Sequence, residues 1–178
     1  MDYTVIYSNR KTLSLEITDE LTVLVRAPKR LDKRITESFV KSREDWIKTH
    51  IEKKREMLKA QSLAFSDVSA LRTAAAEYIP PRVEYFSVLM GLYPTGIKIT
   101  SAKTRFGSCS GKNGLCFSYR LMAYPKEAVD YVIVHELAHI KHKNHQSGFY
   151  ALIKQYLPDY KKREALLKMP PVFGKENE

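Results

Sequence analysis

The chain has 178 residues, with 30 Lys+Arg against 20 Asp+Glu for a formal charge of +10, and an apolar share of 44%. That is enough apolar material for one sizeable core, so a single domain over residues 1–178 is expected and disorder as the main state is excluded. No stretch approaches the roughly 18 consecutive apolar residues of a membrane span, and MDYTVIYSNRK lacks the pattern of a secretory leader. With only Cys109 and Cys116 there is no disulfide framework, and a reducing, cytoplasmic setting is expected. The positive charge favours anionic partners, but it is spread along the chain, so weak nucleic-acid affinity is the most it predicts.

Residues 3–27 alternate apolar and polar in three short runs, YTVIYS, TLSLEI and LTVLVRAP, and predict an antiparallel β-meander. After Pro28, Asp32 can cap a helix to about Val40. A second helix follows from about Arg43 to Ala60, with Trp46, Ile47, Ile51 and Leu58 on its apolar side. Lys53-Lys54-Arg55 lies off that stripe and predicts a solvated face. A third helix starts near Ser66 or Asp67 and meets Pro80-Pro81, where the missing amides predict a break or kink, with Gly91 as its stop.

Residues 97–101 and 115–121 predict strands, and Asn113-Gly114 between them is a strong hairpin-turn signal. The next helix begins at about Pro125 and buries Val129, Val132, Ile133, Leu137 and Ile140. Residues 146–168 predict one or two further helices interrupted at Pro158. The chain divides into residues 1–60, strands and helices, and a core over 66–168.

Four of the five histidines, His135, His139, His142 and His145, fall within eleven residues, the first two in HELAH. Residues four apart on a helix point the same way, so His135 and His139 can offer two imidazoles to one metal ion, with Glu136 rotated away from ligation and free to move a proton. A catalytic zinc wants three protein ligands and an open position. His145, ten residues after His135, supplies the third if the helix ends soon after His139 and Asn144 turns left-handed. Glu164 is the other candidate for third ligand. His142 points elsewhere on its turn, and Cys109 and Cys116 are expected to be small buried residues. Tyr119 and Tyr131 are expected as core or cleft-wall aromatics.

The run TRFGSCSGKNGLCFSYRLMAYPKEAVDYVIVHELAHIKHKNHQSGFY resembles the YgjP-like family of metal-dependent hydrolases, zincin-type proteins related to the SprT-like and WLM metallopeptidases. Phe106 and Tyr150 stand where that family often has Trp. The resemblance implies an α+β zincin-like fold with the active-site helix under a mixed sheet whose edge strand borders the cleft. It makes His135, His139 and His145 the ligands of one Zn²⁺ per chain and Glu136 the general acid/base. It also places Thr104–Ser108 along the cleft, so that Arg105, Gly107, Ser108 and Arg120 become candidate substrate-binding residues.

The function expected is therefore a zinc-dependent hydrolase, most simply a metallopeptidase acting on peptides or proteins. The same site beside arginines also suits hydrolysis of a nucleotide phosphoanhydride. From a different class, a non-catalytic nucleic-acid-binding module would need a structural zinc closed by a fourth ligand from His142, Cys109 or Glu164.

Overall fold

The computed structural model describes residues 2–171, with nothing stated for the side chain of Leu63. The chain divides into two compact units at Ala60 and Gln61. It is an α+β protein with two mixed three-stranded sheets. Among the described residues, no helix is long and apolar enough to cross a membrane.

In the first unit, β1 (Tyr3–Ser8), β2 (Ser14–Ile17) and β3 (Val23–Pro28) form a sheet of order β1-β3-β2. The expected antiparallel meander is corrected here: β3 pairs antiparallel with β2 but parallel with β1. Period-two alternation fixes which side chains face inward and says nothing of which strand lies in the middle. The middle goes to β3, whose Val23, Val25 and Ala27 are fully buried, whereas β1 and β2 have no fully buried residue.

Helix α1 (Lys33–Ser42) starts at Asp32, whose carboxylate accepts from the Arg34 amide at 2.8 Å, as the sequence predicts. Val40 and Ile47 of α2 (Glu44–Ala64) complete this core with Val23 and Val25. The apolar side expected for α2 is narrower than predicted, since Trp46 is exposed and stacks on His50 at 3.8 Å. Of Lys53-Lys54-Arg55, Lys54 is half-buried and pairs with Asp19 at 2.6 Å.

The second unit opens with α3 (Val68–Met90), which stays helical through Pro80 and Pro81. The expected break is absent because Leu71, Ala75, Ile79, Val83, Phe86 and Met90 make one buried stripe running across the prolines. The carbonyls of Ala76 and Glu77, which lose their amide partners, belong to exposed residues that water can satisfy. Gly91 ends the helix at φ +65°, and the Leu92 amide reaches back to the Ser87 carbonyl.

The second sheet has the order β4-β6-β5, with β4 (Gly96–Thr100) parallel and β5 (Gly107–Cys109) antiparallel to the central β6 (Gly114–Ser118). The hairpin across Asn113-Gly114 forms, but its first arm is β5, a strand too short for its periodicity to show in the sequence. The strand expected over 115–121 stops at Ser118. There its hydroxyl donates to the Ala102 carbonyl at 2.7 Å and caps a 3-10 turn over Tyr119–Ala123.

Helix α4 (Lys126–Lys141) is buried nearly all round, with Val129, Ile133, Val134, Leu137 and Ala138 at 0% exposure. Helices α5 (Ser147–Tyr156) and α6 (Tyr160–Leu166) flank Pro158 as predicted. On α4, the buried carboxylate of Asp130 is gripped by Arg82 of α3 through two bonds of 2.7 and 2.8 Å, with Arg163 of α6 at 3.8 Å.

Asp130→Ala strands the Arg82 guanidinium and is expected to lower the unfolding free energy in urea by about 3 kcal/mol. Arg163→Ala removes the longer contact to Asp130 and a half-exposed pair with Asp159 at 2.9 Å, leaves the Arg82 grip in place, and should cost about 1 kcal/mol.

Candidate metal centre

Helix α4 carries His135 and His139 one turn apart, their ring centroids 4.9 Å from each other. The helix stops at Lys141, and the chain turns extended at His142 with φ −122°. Asn144 is not left-handed as expected, since Leu21 and Asn113 are the only non-glycine positions of positive φ among the described residues. The turn is held instead from the hairpin: Lys143 donates to the Asn113 side-chain oxygen at 2.6 Å. His145 then swings back over the helix.

One ring nitrogen from each of His135, His139 and His145 lies within 4.8 Å of the other two. The Nε2 atoms of His135 and His145 face each other at 3.2 Å. Two ligands of a tetrahedral zinc at bond lengths of about 2.05 Å stand about 3.3 Å apart, so this pair already has the span that one ion needs. The Nδ1 of His139 contacts the His142 carbonyl at 3.0 Å. A carbonyl only accepts, so that Nδ1 carries the proton and Nε2 is left bare for a ligand.

Burial, then the charges of His139 and His145, push the His135 imidazole down to about 4, and burial also lowers His139. Both rings are therefore neutral near pH 7, the form that ligates metals. The donor set thus fits a divalent ion. Among the described residues, the cluster has three members and includes neither His142, Cys109 nor Glu164.

Phe149 of α5, fully buried, is the residue that the sequence reading missed. Its ring lies 4.9, 4.6 and 4.8 Å from the rings of His135, His139 and His145. No periodicity signalled it, because His145 precedes α5, whose cap is Gln146, and Phe149 meets the three rings only through the packing of α5 on α4.

Glu136 is 6% exposed, and β5 passes directly against it. A Cβ on Gly107 would stand 2.6 Å from Oε1 and 2.7 Å from Cγ of Glu136, so only glycine lets strand and carboxylate approach this closely. Burial raises the Glu136 carboxyl to about 7, opposed by the positive charge of Arg105.

Two cavities share the Phe106-Gly107 wall. The larger, about 310 Å³, is lined by Tyr131, Val132, His135, Glu136, Glu164 and Leu167 among others. The smaller, about 100 Å³, is lined by Thr100, Arg105, Ser108, Cys116 and Ser118 among others.

Of the candidate substrate-binding residues, Arg105, Gly107 and Ser108 thus come together on the wall of the smaller cavity, with Gly107 against Glu136, and Arg120 does not join them. Its guanidinium lies 4.5 Å from the Phe65 ring centroid, and it lines neither cavity. Cys109 and Cys116 are half-buried, not buried as expected, and Cys116 lines the smaller cavity. Tyr119 is core, at 4% exposure, and Tyr131 forms cleft wall.

The chain matches the family described as "YgjP-like, metallopeptidase domain" over residues 11–69 and 68–169. It belongs to the YgjP-like family. The YgjP-like metallopeptidase domain makes the chain a metal-dependent hydrolase of the peptidase class, in keeping with a triad able to hold a divalent ion. No curated protein matches the chain. One similar solved structure is the metallopeptidase zymogen of Pyrococcus abyssi abylysin. It is 21% identical, covers 52% of this chain and 96% of its own, and has a TM-score of 0.45.

Elemental analysis separates the two neighbouring histidines of the YgjP-like chain. His145→Ala removes one of three donors and is expected to weaken metal binding by at least about 100-fold, beyond the range seen for losing a supporting residue. His142→Ala keeps the backbone carbonyl that orients His139 and should retain the metal.

Proposed function

We propose that the chain is a zinc-dependent peptidase in which His135, His139 and His145 hold one Zn²⁺ per chain and Glu136 is the general acid/base. The observation that carries this reading is the convergence of three imidazoles within 4.8 Å beside a buried carboxylate. Imidazole donors suit zinc, and three of them leave a position open, whereas structural zinc is closed by four. When bound, such an ion acidifies water and polarises a carbonyl oxygen.

Glu136 takes a proton from the attacking water as its oxygen bonds to the scissile carbonyl carbon. It delivers that proton to the departing nitrogen as the C–N bond breaks. Gly107 sets the position of the carboxylate, and the fixed helical offset from His135 keeps it beside the ligands without joining them. Strand β5 is an edge of its sheet, so an extended peptide can pair with its free backbone alongside Glu136. The two free cysteines fit a cytoplasmic location.

A second reading has one observation in its favour: the small cavity is lined by both Arg105 and Ser108, side chains whose donors suit a phosphate. Under it the same centre hydrolyses a nucleotide phosphoanhydride.

The test is turnover of unfolded peptides and of nucleoside triphosphates by zinc-loaded protein, beside Glu136→Gln. The variant should keep its zinc and lose about 100-fold or more of the rate, whichever substrate is turned over. Retained turnover would remove Glu136 from its role, and turnover of triphosphates alone would replace the peptidase reading by the second one. Gly107→Ala should keep metal and fold yet lose at least about tenfold in kcat, because the added methyl evicts the carboxylate from its place. Unchanged kcat would show that the close approach has no part in catalysis.

A further inference from the structure

The larger cavity beside Glu136 contains a carboxylate that the chemistry above leaves unused. Glu164, on α6, faces the same space as Glu136, Tyr131 and Phe106. The rest of the wall is largely apolar: Val132, Leu167 and the two aromatic rings. Among the described residues, no Lys, Arg or His nitrogen lies within 4.0 Å of the Glu164 carboxylate, and its side chain makes no hydrogen bond. Lys168 also lines the cavity, but it is exposed and forms no ion pair with Glu164.

Proximity is independently visible at Tyr131. Its phenol is held well above the usual range, by burial first and then by the negative charge of Glu164. The phenol therefore stays protonated and cannot itself neutralise the carboxylate.

A half-buried carboxylate at the side of an aromatic-walled cavity is costly while unpaired and favourable once a cation enters. Phe106 and Tyr131 add aromatic rings to the wall, and a guanidinium is the cation best suited both to aromatic surroundings and to a two-pronged bond with a carboxylate. Ligation of the metal by Glu164, the other use of such a group, is not supported by its position. The triad converges without it, and it lies on the cavity wall.

We propose that this cavity is the specificity subsite of the enzyme and takes a basic side chain, arginine in preference to lysine, from the substrate residue next to the scissile bond, with Glu164 as its counter-charge. The proposal rests on the peptidase reading for the word substrate. The cation site itself is testable without turnover.

Zinc-loaded protein is titrated with N-acetyl-arginine amide and N-acetyl-norleucine amide, followed by amide chemical shifts in NMR, and is separately given peptides that differ only by Arg, Lys, Gln or norleucine at each position flanking the cleaved bond. The arginine amide should bind about tenfold tighter than the norleucine amide, with shifts at Tyr131 and Leu167, and arginine peptides should be cleaved with about tenfold higher kcat/KM than glutamine peptides. Glu164→Gln should erase both preferences while keeping full zinc content, and Glu164→Lys should reverse them toward acidic side chains. Lys168→Ala should leave the preference for arginine in place.

Equal binding of the two amides by wild type, or a preference that survives in Glu164→Gln, would overturn the proposal. Loss of zinc in Glu164→Gln would overturn it by making Glu164 a ligand. Binding of the arginine amide through Glu164 with no peptide cleaved at any position would uphold the cation site and refute the peptidase reading alone.

Discussion

The approach of strand β5 to helix α4 at Gly107 is the contact on which the site depends. Without a side chain at that position the strand presses onto the Glu136 carboxylate and covers it. An α-helix can place a glutamate beside two histidines anywhere on its surface, but only a lid of backbone makes that glutamate buried and fixed in direction. The same contact divides the surroundings of the carboxylate into two cavities that share Phe106 and Gly107 as a wall.

The charges on either side of that wall are opposite. Arg105 stands on the side of the small, hydroxyl-lined cavity and Glu164 on the side of the larger, aromatic one. A substrate crossing the carboxylate therefore meets a positive environment on one side and a negative one on the other. Behind the carboxylate the imidazoles rest on the ring of Phe149, an apolar floor that keeps two of them neutral by desolvation. The rigidity of this arrangement comes from the core of the second unit. Helix α4 is buried on nearly every side, and the Arg82–Asp130 pair ties it to α3.

Local chemistry was legible wherever one element carried it. HELAH could be read as a metal-binding pair because the helical period alone makes His135 and His139 neighbours. The caps at Asp32 and Gly91 and the interruption at Pro158 were legible for the same reason. Strand order was not, because alternation is identical whether β1 pairs with β2 or with β3. Pro80-Pro81 misled because the local rule counts lost hydrogen bonds, whereas the fold sets them against a continuous buried stripe on both sides of the prolines. Arg120 misled because nearness in sequence to a cleft strand does not fix side-chain direction, and Phe65 offered its guanidinium a ring face.

What the sequence by itself determined is therefore the inventory: an α+β chain, a helix bearing His135, Glu136 and His139, and a further histidine at a spacing that permits a third ligand. What only the tertiary structure decided is the use of that inventory. It brought His145 back by way of a lysine tied to a hairpin turn thirty residues earlier. It placed Phe149 under all three rings, laid a glycine strand on Glu136, and faced Glu164 into a cavity instead of toward the ligands. Each of these is a contact between separate elements, set by packing, and a periodicity within one element carries no information about its neighbours.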